Sequence, residues 1–201
     1  MVWLYVTYLG TSLTLGLLAR VHHSTSLTHW FQLVDALVTV AYCVRNFTEL
    51  APLLRPRVPG VRALTEFVGA SAAFVVAAKG VFWALEAAGL PLASSADDYV
   101  AENRAIWIIF AAVSVAPAIW EELAFRGVIQ ARLGDVLTRR EAWIVQAALF
   151  SVLHLSPVIF LTHFGMGLMF GWLRDRYTSI YPGMCLHAAW NALVVLGDLS
   201  A

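Results

Sequence analysis

Apolar residues run along this chain in blocks, and the polar residues between them recur at close to a bilayer's thickness. Residues 2–19 carry no charged side chain, and a hydrocarbon core takes roughly 20 helical residues, so they predict a first spanning helix. Residues 20–26 form a polar break. Residues 27–44 predict a second span, interrupted only by Asp35. Residues 61–90 predict a third, with Glu66 and Glu86 near its ends, where such side chains reach the interface. Residues 105–133, 142–155, 158–173 and 180–196 predict four more. Pro52, Pro56, Pro59 and four arginines mark 45–62 as a loop; Ser94, Ser95, Asp97 and Asp98 mark 91–102 as an acidic one. Pro117 lies inside the fourth span. It lacks a backbone donor and crowds the preceding turn, which predicts a kink or break just before Glu121. Gly165, Gly167 and Gly171 punctuate the sixth span, spacing that lets neighbouring helices approach closely.

Composition turns this pattern into a class. The chain is 60% hydrophobic and 13% charged, with a mean hydropathy of +0.74, whereas soluble domains carry roughly 25% charged residues. The expected fold is all-α: one polytopic transmembrane bundle of about seven to eight helices over residues 1–201. Residues 1–104 carry no chemical motif and 105–196 form the motif-bearing core. The first residues lack a basic lead and a small-residue cleavage site, so they read as a retained helix. Net charge is zero, which gives no electrostatic support for a nucleic-acid partner. Cys43 and Cys185 sit in apolar runs and read as buried small hydrophobes. Arginines cluster in 45–62, 132–140 and 174–176, so the positive-inside rule sets the N-terminus in the cytoplasm and the C-terminus outside, with Arg20 the one misfit.

The stretch Trp120-Glu121-Glu122-Leu123-Ala124-Phe125-Arg126 sets two carboxylates and a guanidinium between apolar runs. Charges at such depth must be paired or hydrated. Glu122, Arg126 and Gln130 form an i, i+4, i+8 stripe, so Glu122 and Arg126 fit a structural ion pair. Glu121 lies about 100° around the helix and is left to act on something else. His154 ends the fifth span. His187 and Asn191 share a face of the last one by i, i+4 spacing, and that face should point inward, because unpaired polar groups in lipid are expensive. Together these groups supply a base for water, oxyanion donors and metal-ligand types, the requirements for hydrolysing an acyl bond. A non-enzymatic alternative is that the cluster only fixes helix packing in a membrane immunity or partner-binding protein.

Glu121-Glu122-x-x-x-Arg126, Phe150-x-x-x-His154, Phe164-x-x-Gly167-x-x-x-Gly171 and His187-x-x-x-Asn191 resemble, in order, the four motifs of the CPBP family. These are the CAAX-processing and bacteriocin-immunity-related intramembrane proteases, also called the Abi family. The resemblance implies a glutamate-dependent intramembrane endopeptidase, with Glu121 as general base and His154 helping to hold the water. It implies that His187 and Asn191 stabilise the oxyanion and that Glu122 and Arg126 shape the site. His163 has no counterpart in the motifs. The family's metalloprotease description leaves zinc as an alternative to a metal-free site, with Glu121, His154 and His187 as its ligands. The implied partners are the lipid bilayer and a membrane-associated protein or peptide, cleaved in CAAX fashion or at a C-terminal sorting tail. The small size and the alanine and arginine richness suggest a bacterial inner membrane.

Overall fold

The computed structural model describes residues 2–22, 25–55, 60–90 and 94–200. His23 in the first break, Pro56 and Pro59 in the arginine-rich loop and Pro91 in the acidic loop lie outside the described residues. The chain folds as a helical bundle, and no strand occurs among the described residues. Its helices are α1 (Val2–His22), α2 (Thr25–Arg45), the short α3 (Phe47–Leu50), α4 (Val61–Ala87), the short α5 (Asp97–Ala101), α6 (Ile106–Gly134), α7 (Arg139–Leu153), α8 (Phe160–Tyr177) and α9 (Tyr181–Ser200). The seven long helices fall on the seven stretches expected from the apolar blocks. By length and composition α2, α4 and α6 are apolar enough to cross a membrane. The bundle exposes Trp30 on α2, Val76 and Trp83 on α4, and Trp107 on α6. Large apolar patches outward are what a lipid-facing surface requires.

α6 is the inner helix. The core joins its Ala124, Phe125, Val128 and Ile129 to Leu4 and Tyr8 of α1, Phe150 of α7, Phe170 of α8 and Trp190 of α9. Of the kink or break expected ahead of Glu121, a break does not occur: α6 runs on through Pro117, widening into π-helical turns at Phe110–Val115 and Glu122–Ile129. Pro117 has no N–H for the carbonyl of Val113, four residues back, or of Ala112, five back. Neighbouring helices supply the missing donors. Asn191 Nδ2 donates to Val113 O at 3.2 Å, and Gln32 Nε2 donates to Ala112 O at 2.7 Å. Orphaned carbonyls in lipid are tolerated only when re-satisfied in this way.

α7 begins with a capping box. Thr138 Oγ1 accepts from Glu141 N–H at 3.4 Å, and Glu141 Oε2 accepts from Thr138 N–H at 2.8 Å. The hydrogen bonds from the Thr138 side chain and backbone hold the Glu141 carboxyl below its ordinary range. α7 stops at His154 because Leu155 takes a left-handed φ of 52° and Pro157 follows. α7 and α8 touch at Gly167, where an added Cβ would lie 2.6 Å from Ala147 Cα. The cysteine expectation needs correction: Cys43 is half-buried, and Cys185 is exposed on the outer face of α9. An apolar run on a lipid-facing helix need not be buried in protein.

Candidate active site

The stripe on α6 faces the bundle interior. Glu122 and Arg126 are wholly shielded, and Gln130 nearly so. Arg126 Nη1 donates to Glu122 Oε1 at 2.9 Å. Its guanidinium lies 4.5 Å from the Phe150 ring centroid and 5.0 Å from that of Phe170, so aromatic faces replace water around the cation. Nη2 reaches the Gly167 carbonyl at 3.4 Å, and Gln130 Nε2 donates to the Gly171 carbonyl at 3.2 Å. The glycines of α8 thus serve two purposes: they admit α7, and they bare carbonyls to the stripe. On the α9 side, a Cβ at Gly183 would come within 2.7 Å of Glu122 Oε2.

His187 is held between the two glutamates. Its Nδ1 lies 3.2 Å from Glu122 Oε1 and its Nε2 lies 3.8 Å from Glu121 Oε2. The ring stacks on Phe170, with centroids 5.1 Å apart and planes at 26°. Glu122 therefore binds both Arg126 and His187, while Glu121 Oε2 has no hydrogen-bond partner among the described residues. This is the division expected from their angular separation on α6. His154 Nδ1 is 2.9 Å from the Phe150 carbonyl. That contact makes Nδ1 the N–H donor and leaves a lone pair on Nε2. Asn191 spends one amide hydrogen on Val113 O and keeps a second.

Glu121, His154, His187 and Asn191 all line one cavity of about 1060 Å³. Phe82, Leu155, Met166, Trp190 and Val194 give it apolar walls, and Ser94, Ser95, Asp97 and Asp98 also line it. Glu122 and Arg126 lie behind the cavity and do not line it. His163, which has no counterpart in the motifs, lines the same cavity, its ring centroid 3.9 Å from that of His154. Its only signal was a second imidazole in an apolar stretch. Among the described residues, no three His, Cys, Asp or Glu side chains converge as a metal site. His187 Nδ1 is turned to Glu122 and His154 Nδ1 to a backbone carbonyl.

The family model described as type II CAAX prenyl endopeptidase Rce1-like matches residues 103–193. No curated protein and no solved structure matches the chain.

Proposed function

We propose, on the premise that the chain belongs through residues 103–193 to the Rce1-like type II CAAX prenyl endopeptidases, that it hydrolyses a peptide bond of a membrane-associated protein or peptide with water activated by Glu121. One observation carries the reading: Glu121, His154, His187 and Asn191, from two helices and the end of a third, line one cavity. Water between Glu121 and His154 gives one proton to the carboxylate while His154 Nε2 accepts a hydrogen bond from the other. The water oxygen bonds to the acyl carbon, and the carbonyl electrons move onto its oxygen. The free N–H of Asn191 and, in its protonated form, the Nε2–H of His187 face that oxyanion. As the C–N bond breaks, Glu121 returns its proton to the leaving nitrogen. Glu122 orients His187 through Nδ1, and Arg126 balances the Glu122 charge.

The apolar walls suit a lipidated cysteine or an apolar tail, which is the substrate class proposed. The full chain, reconstituted in proteoliposomes, is given peptides ending in a farnesylated CAAX sequence and the same peptides unmodified. Release of the C-terminal tripeptide from the farnesylated set, lost in both His154→Ala and His187→Ala, is the expected result. Wild-type function of both folded variants in the cell would instead favour a binding or immunity role.

A further inference from the structure

A second cavity, of about 220 Å³, adjoins the first. Pro117, Glu121 and His154 line both and so form the partition between them. Beyond that partition the linings differ in kind. The large cavity is walled by α4, α8 and α9, whereas the small one takes Tyr8 and Ser12 from α1 and Gln32 and Asp35 from α2. These four polar side chains come from the motif-free half, outside the matched segment. Asp35 is only 7% exposed, and an ionisable residue in a spanning helix is expensive unless it is used. It is held in place. Thr11 Oγ1 donates to Asp35 Oδ1 at 2.8 Å, and Tyr8, which hydrogen-bonds Thr39, packs beside it. Gln32, anchored on Ala112 O, ties this wall to the π-helical turn of α6.

Hydrolysis consumes one water per turnover. A peptide with its apolar tail in the large cavity displaces water from that side of Glu121. The small chamber exceeds by an order of magnitude the ~15 Å³ that admits one water, and it offers the several polar partners a water needs. We infer that the chamber between α1 and α2 is the water-supply site of the reaction, with Asp35 and Gln32 positioning the water that Glu121 deprotonates. The inference rests on the protease reading above. Asp35 is a positioning residue: no bond to it forms or breaks, since the proton passes from water to Glu121 and on to the leaving nitrogen.

The test uses the full chain in proteoliposomes, with Cys43→Ala and Cys185→Ala as parent and Ser12→Cys as probe. A small, charged, lipid-insoluble methanethiosulfonate reagent should modify Ser12→Cys even under saturating substrate. Modification should lower kcat at least tenfold with KM within twofold. Absence of labelling, protection by substrate or an undiminished kcat after labelling would each overturn the inference. Asp35→Asn, which keeps the side-chain volume, provides an independent arm: kcat should fall with KM unchanged, and wild-type kcat would overturn the assignment. Full cleavage by Glu121→Gln would refute the assignment of Glu121 as the base on which the inference rests, a result the labelling of Ser12→Cys does not share.

Discussion

Gly165 and Gly167 lie two residues apart on α8, yet the structure assigns opposite signs to their replacement by alanine. A Cβ at Gly165 meets nothing within 4 Å, so Gly165→Ala should gain up to about 1 kcal/mol of helix propensity. A Cβ at Gly167 would lie 2.6 Å from Ala147 Cα, 2.7 Å from its Cβ and 3.3 Å from its carbonyl oxygen. Carbon atoms pack at about 3.5–4.0 Å, so α7 and α8 must part by roughly 1 Å. Overpacking of this kind costs about 1–3 kcal/mol. Parting the helices also strains the bonds that the Gly167 carbonyl accepts from Gln146 at 2.6 Å and Arg126 at 3.4 Å, at about 1 kcal/mol each. Less the propensity gain, Gly167→Ala should lose about 2–4 kcal/mol. Detergent-titrated unfolding followed by tryptophan fluorescence measures both variants. Adding Ala147→Gly should restore only part, because the contact with Cα remains. Equal stability of Gly165→Ala and Gly167→Ala would refute the packing argument.

Three further outcomes follow from the site and its surroundings. Arg126→Met strands the shielded Glu122 carboxylate and should cost about 3–5 kcal/mol in the same unfolding assay, with part recovered by adding Glu122→Gln. Gly183→Ala pushes on Glu122 Oε2 from 2.7 Å. It should leave the fold intact but shift His187, lowering the cleavage rate by up to roughly 10²-fold. Glu102 accepts hydrogen bonds from the side chain and backbone N–H of Thr25 at the start of α2, and Arg104 lies beside it, so its carboxyl is held down at about 2. A depressed carboxyl contributes stability that is present above about 4.5 and lost as pH falls through the folded value. Melting temperatures should therefore drop between pH 5 and 2 in the wild type and less steeply in Glu102→Gln.

The bundle was legible because backbone groups in lipid must pair within their own segment, so each apolar block of spanning length had one structure open to it. The Glu122–Arg126 pair was legible for a similar reason: i, i+4 spacing on a helix is a distance. Partners on other helices were not. Pro117 announced orphaned carbonyls, but that Gln32 and Asn191 satisfy them, keeping α6 unbroken, depends on which helices pack beside it. Asp35 stood out as the lone charge of its span, yet nothing in the spacing showed that it shares a chamber with Glu121. His163 carries no spacing signal, because its neighbour His154 is reached through the turn at Leu155 and not through a helical repeat.

The proposed hydrolysis depends on the carboxylate of Glu121. The most direct measurement compares cleavage of a membrane-bound peptide by the purified full chain and by Glu121→Gln, at matched melting temperature and matched peptide binding. The expected result is a fall of roughly 10²–10⁴-fold, the range for removing a general base, with binding unchanged. A glutamine variant that cleaves at the wild-type rate would contradict it.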